Sequence, residues 1–154
     1  MIYPLLKQPR LFWPTWVLTF FLIGCAPLIG PYSPAAYQNA TSLKASTLAL
    51  MDKATEPYKT HQKDVESLLL EVDQAYEFVN GIPSKSISAK QWNVLKKTDG
   101  DLLGKFILRW RERGVLSREF IVEFKGPITD AFDEIICLEA NKKEATRCSK
   151  DGGN

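Results

Sequence analysis

The sequence predicts an all-α protein, a small up-and-down bundle of about five helices, and three observations carry that expectation. Apolar residues return at steps of three and four through Tyr58, His61, Val65, Leu68, Val72, Ala75 and Val79, with Leu69 and Tyr76 widening the stripe. A second stripe of the same period runs through Ala36, Ala40, Leu43, Thr47, Leu50 and Ala54. No stretch joins strict apolar–polar alternation to the turn pairs of a hairpin, and Glu119 to Phe124 comes nearest to a strand.

The chain opens differently. Met1 to Arg10 carries Lys7 and Arg10 and no acid, and Leu11 to Gly24 is apolar apart from Thr15 and Thr19, with one interruption at Pro14. Such a run falls short of the roughly 20 residues a spanning helix wants. The order of charge and then apolar run resembles a signal peptide over residues 1–24, and its end, Leu22-Ile23-Gly24-Cys25, resembles the lipobox of bacterial lipoproteins. The resemblance implies cleavage before Cys25, diacylation of its thiol and acylation of the new amine, palmitate-type chains that hold the protein on a membrane. Two or more chains give stable attachment where one gives only marginal binding. By the same resemblance, Ala26 in place of an Asp after the cysteine implies the outer membrane rather than the inner, with the mature domain in the periplasm. The alternative is an uncleaved apolar anchor whose cysteine is incidental.

Of the 20 basic groups in the 154-residue chain, Lys7 and Arg10 lie within residues 1–24 and none of the 18 acidic groups does, so the remainder is formally neutral. A nucleic-acid binder normally shows a basic excess or stripe. About 130 residues suffice for one domain with a real core and are too few for two of ordinary size. With Cys25 assigned to lipid, Cys137 and Cys148 form the candidate disulfide pair. The competing reading makes Cys137 a small buried hydrophobe and Cys148 part of a loose tail.

Past Cys25, residues 25–34 read as a tether, since Pro27, Pro31 and Pro34 with Gly30 exclude a regular helix. A helical domain follows over 35–143. Ser33 is a candidate N-cap with Pro34 at the first helical position, opening a helix to about residue 55. Pro57 then demands a turn or a kink before the helix over 57–80, and a single rod of both segments is too long for a domain of this size, which favours two antiparallel helices. Asn80-Gly81 and Ile82-Pro83 stop it, with Gly81 available for a left-handed cap.

Ser88-Ala89-Lys90-Gln91 has the spacing of a capping box for a short helix with Trp92 and Leu95. Leu102, Leu103, Phe106, Ile107 and Trp110 mark another, ending near Gly114. Ser117 is a candidate cap for a short helix with Phe120, Ile121 and Phe124, and Gly126-Pro127 starts a last one with Ile128, Phe132, Ile135 and Ile136 facing inward. Residues 144–154 are polar and predict a disordered tail.

The run Leu50-Met51-Asp52-Lys53-Ala54 with Pro57-Tyr58, then Gln91-Trp92, then Phe106 with Trp110, is similar to small helical lipoproteins of unassigned function. That resemblance spans most of residues 37–140 and implies no activity. No spacing of chemistry-bearing residues in the chain marks one either. His61 is the single histidine, read as half-buried and hydrogen-bonded, and zinc would need three or four converging ligands. Carboxylate pairs such as Asp130 with Glu134 and Asp73 with Glu77 sit four apart, as solvated surface pairs commonly do. No cofactor or metal site is expected.

Trp92, Arg109, Trp110, Arg111 and Arg113 form the candidate partner-binding cluster, because Trp and Arg are enriched at binding hot spots and arginine pairs with phosphate and carboxylate. The plainer reading makes both tryptophans core and the arginines their exposed neighbours. The expectation is a lipid-anchored cell-envelope protein, a non-catalytic binding or structural module with a protein or envelope-component partner and no nucleic acid. Alternatives are an exclusion or immunity lipoprotein of the phage or plasmid type and, from a different class, a small cell-wall hydrolase.

Overall fold

The computed structural model describes residues 32–82, 86–140 and 148, the side chain of Ser86 excepted. The lipobox with Cys25 and the tether up to residue 31 lie outside them, as does the tail apart from Cys148. Five α-helices and no strand occur among the described residues: α1 (Pro34–Asp52), α2 (Tyr58–Asn80), α3 (Ser86–Lys96), α4 (Leu103–Arg113) and α5 (Arg118–Ala140). None of them is long and apolar enough to cross a membrane.

Helix α1 begins as its sequence asks. The Ser33 hydroxyl accepts from the Ala36 amide at 3.3 Å, and Pro34, which has no N–H to leave unsatisfied, takes the first helical place. A 3-10 turn at Lys53–Thr55 and the extended Glu56 then bring the chain round at Pro57. The outcome is a turn, because α1 and α2 pack on each other. Lys53 near the end of α1 meets Asp64 near the start of α2, while Ser46 and Glu71 line the same groove farther out, so the two helices run antiparallel.

Around the bundle, α1 packs on α2, α2 on α3, α3 on α5 and α5 on α1, a closed ring of four helices, with α4 lying against α2 and α3. The pairs Lys44–Asp133 and Asp52–Lys125 set α1 antiparallel to α5. Burying the periodic stripes supplies the core: Val65, Leu68, Val72, Ala75 and Val79 from α2 meet Leu43, Leu50 and Met51 from α1. Trp92 of α3 meets Phe132 of α5 edge to face, their centroids 5.9 Å apart. Full burial of each such side chain contributes on the order of 1.5–3 kcal/mol.

Three local expectations are corrected. Helix α5 passes through Gly126-Pro127 without a break. Its buried positions Ile121, Ile128, Phe132, Ile135 and Leu138, with half-buried Phe124, keep helical spacing across the proline. A bend there would pull one half of that stripe off the core, and this outweighs the roughly 3 kcal/mol a mid-helix proline costs. The ring sits on the exposed side, and the Thr129 hydroxyl donates to the Lys125 carbonyl beside it at 2.7 Å. Second, α3 starts at Ser86, so Ser88 lies inside the helix, buried, instead of capping it. Third, Gly81 ends α2 in right-handed backbone (φ −68°), and among the described residues the glycine with positive φ is Gly114 (φ 77°), after α4.

A second glycine is required by space. A Cβ on Gly104, in the first turn of α4, would lie 2.3 Å from the Lys97 carbonyl oxygen and 2.4 Å from that of Lys96. The backbone of α4 is thus seated directly on the C-terminal carbonyls of α3, an approach that no larger residue permits.

Candidate functional site

The turn between α1 and α2 and the turn between α4 and α5 are fastened to each other. The Tyr58 amide donates to the Gly114 carbonyl at 2.7 Å, and the Leu116 amide donates to the Ala54 carbonyl at 2.9 Å. Between them the Trp110 indole Nε1 donates to the Glu56 carbonyl at 3.0 Å. Pro57 removes a donor and holds Glu56 extended, which leaves that carbonyl free for the indole. Ala54, Pro57, Tyr58 and Trp110 therefore meet at one junction.

His61 belongs to this junction. It is 9% exposed, and its Nε2 lies 2.6 Å from a Glu56 carboxylate oxygen, with its Nδ1 3.6 Å from Asp64. The imidazole tilts against the Trp110 ring at 5.8 Å, and Tyr58 meets the same indole edge to face at 5.6 Å. The two carboxylates approach opposite nitrogens of the ring, so the three groups cannot converge on one ion. No group of three or more His, Cys, Asp or Glu among the described residues is placed to hold a metal.

The five residues of the candidate cluster do not share one surface. Trp92 and Trp110 are 1% and 0% exposed and belong to the core, on α3 against α5 and on α4 against α2. The arginines are exposed, but on two sides of α4. Arg109 and Arg113, four apart, line a groove of about 380 Å³ against α5, with Phe120 and Phe124 in its wall. Arg109 is paired with Glu112 at 3.3 Å, and the Arg113 guanidinium lies 5.6 Å from the Phe120 ring centroid.

Arg111 points to the other side. It lines a groove of about 490 Å³ between the start of α2 and the end of α4, with Pro57, Tyr58, Lys59, Gln62, Glu66, Leu69, Gly114 and Val115. That size lies within the range of small-ligand pockets. Neither Arg111 nor Lys59 makes an ion pair with another described residue. This groove was not foreseen as a unit, since its walls come from segments about 50 residues apart that only the turn-to-turn clamp brings together.

Cys137 and Cys148 form a disulfide, with an S–S distance of 2.06 Å, next to a larger cleft of about 800 Å³ lined by Gln91, Val94, Asp130 and Glu134 among others. Its acids are engaged: Glu134 accepts from Gln91 at 2.6 Å and Asp133 holds Lys44. Of the other carboxylate pair, Asp73 holds Lys96 at 2.8 Å. No family model, curated protein or solved structure matches the chain.

Proposed function

We propose that the chain is a lipid-anchored cell-envelope protein whose helical domain acts by binding, not catalysis, at the periplasmic face of the membrane. The observation that carries this reading is Leu22-Ile23-Gly24-Cys25 at the end of an apolar run that follows Lys7 and Arg10. The Cys137–Cys148 disulfide supports it independently, because such bonds persist in oxidising compartments such as the periplasm. The binding role is supported by the domain's chemistry. Its histidine is tied to Glu56, Asp73 and Asp133 are held by lysines, and the groove between α2 and α4 is lined by apolar side chains with Lys59 and Arg111.

Ala26 after the cysteine favours the outer membrane. The test is density separation of inner and outer membranes from cells expressing the protein or its Cys25→Ser variant. The protein should band with the outer membrane and the variant should leave that fraction. Equal distribution of the two would overturn the reading.

A further inference from the structure

The groove at the clamped junction has the properties of a receptor for one kind of ligand. Its apolar walls are Pro57, Tyr58, Leu69 and Val115, the last 48% exposed, a large apolar side chain left uncovered beside a concavity. Its charged residues are Lys59 and Arg111 against Glu66, a surplus of one positive charge. Glu66 is further engaged by the Gln62 amide at 2.8 Å, which leaves Lys59 and Arg111 as the charged groups of the groove without an ion pair to a described residue. A guanidinium presents a planar fork that fits a carboxylate through two parallel hydrogen bonds. One surplus charge matches a monoanion better than the near-dianion of a phosphate monoester, and a concave apolar slot accepts a side chain, where a bilayer presents a broad surface.

We propose that this groove docks an acidic, apolar peptide segment of a partner protein, one carboxylate on Arg111 and a neighbouring apolar side chain between Tyr58, Leu69 and Val115. The walls are preorganised: Tyr58 and Gly114 are locked by their mutual backbone bond, and Tyr58 packs on Trp110, so little ordering is lost on binding. The inference rests on the domain being a binding module, and is independent of how the chain is anchored.

The test uses the full chain carrying Cys25→Ser in neutral detergent, with terminally blocked Leu-Asp-Leu and Leu-Asn-Leu peptides as probes. These differ in charge at constant shape. The readout is the indole N–H resonance of Trp110, assigned by its loss in Trp110→Phe. Leu-Asp-Leu should shift this resonance saturably and bind at least ten-fold more tightly than Leu-Asn-Leu. Arg111→Glu should lose that preference, while Arg113→Glu, on the opposite side of α4, keeps it. Equal binding of the two peptides, no binding of either, or equal effects of the two arginine variants would overturn the proposal. So would a Trp110 shift produced by phosphatidylglycerol vesicles and abolished by Arg111→Glu, which would assign the groove to lipid. A failed membrane separation with an intact peptide response would sink the anchoring reading alone.

Discussion

The Trp110 indole N–H donates to the Glu56 carbonyl across 54 positions of sequence, and this bond stands between two backbone bonds that tie the same pair of turns. Glu56 in turn holds His61 through its side chain, so one residue, left extended by the following proline, joins α2 to α4 through both its backbone and its carboxylate. Trp110→Phe keeps most of the buried ring but leaves that carbonyl without its donor. The expected loss is about 1–3 kcal/mol of unfolding free energy, read from urea denaturation with an unchanged m-value.

Two glycine substitutions should differ in sign. Gly104→Ala drives a Cβ into the Lys96 and Lys97 carbonyls and should destabilise by about 1–3 kcal/mol or more, as overpacking does. Gly81→Ala meets nothing closer than 3.4 Å, and its φ of −68° suits any residue. By restricting the unfolded chain it should stabilise by about 0.4–1 kcal/mol. Thermal melts of the two variants against the parent check both.

How much of this was readable beforehand depends on where the cause lies. The stripes of α1 and α2 and the Ser33–Pro34 start are local, and their residues fall where the spacing puts them. The path through Pro127 was not readable, because a Gly-Pro pair is a breaker by local rules. Only the core contacts of Ile121 and Ile128 on either side of it decide otherwise. The aromatic and basic cluster is picked out by residue type, Trp and Arg being enriched at binding hot spots, and residue type does not say which way each side chain faces. At about 100° per residue, however, Arg111 stands some 200° from Arg109 and from Arg113, which scatters them. The pairing of Glu56 with His61 depends on the exact course of the Pro57 turn, and spacing does not fix that.

Opening the Cys137–Cys148 bond should weaken the fold without abolishing it. The bond closes a short loop, with a sequence separation of 11, and joins buried Cys148 to α5 beside the cleft that faces α3. Disulfides of this kind contribute about 2–4 kcal/mol, largely by restricting the unfolded chain. A Cys137→Ser, Cys148→Ser double variant should show that loss in denaturant, with helical circular dichroism retained.

The start of α5 carries a small pH dependence. The Ser117 hydroxyl accepts from the Phe120 amide at 3.3 Å, and the Glu119 carboxyl is held below its ordinary range, first by a backbone hydrogen bond and then by Ser117. Because its folded-state value is depressed, the stabilisation from Glu119 is present above the ordinary glutamate range and is lost as pH falls through the folded-state value. Ser117→Ala should cost about 0.5–2 kcal/mol at neutral pH through the lost cap and should raise the Glu119 titration midpoint, followed by carboxyl carbon NMR.

If the domain is held on a membrane through Cys25, the intact mass of the protein extracted from membranes will carry the lipid. The expected mass is that of residues 25–154 plus two or three acyl chains, with the acyl increment lost in Cys25→Ser. A full-length, unacylated mass from the parent protein would contradict it.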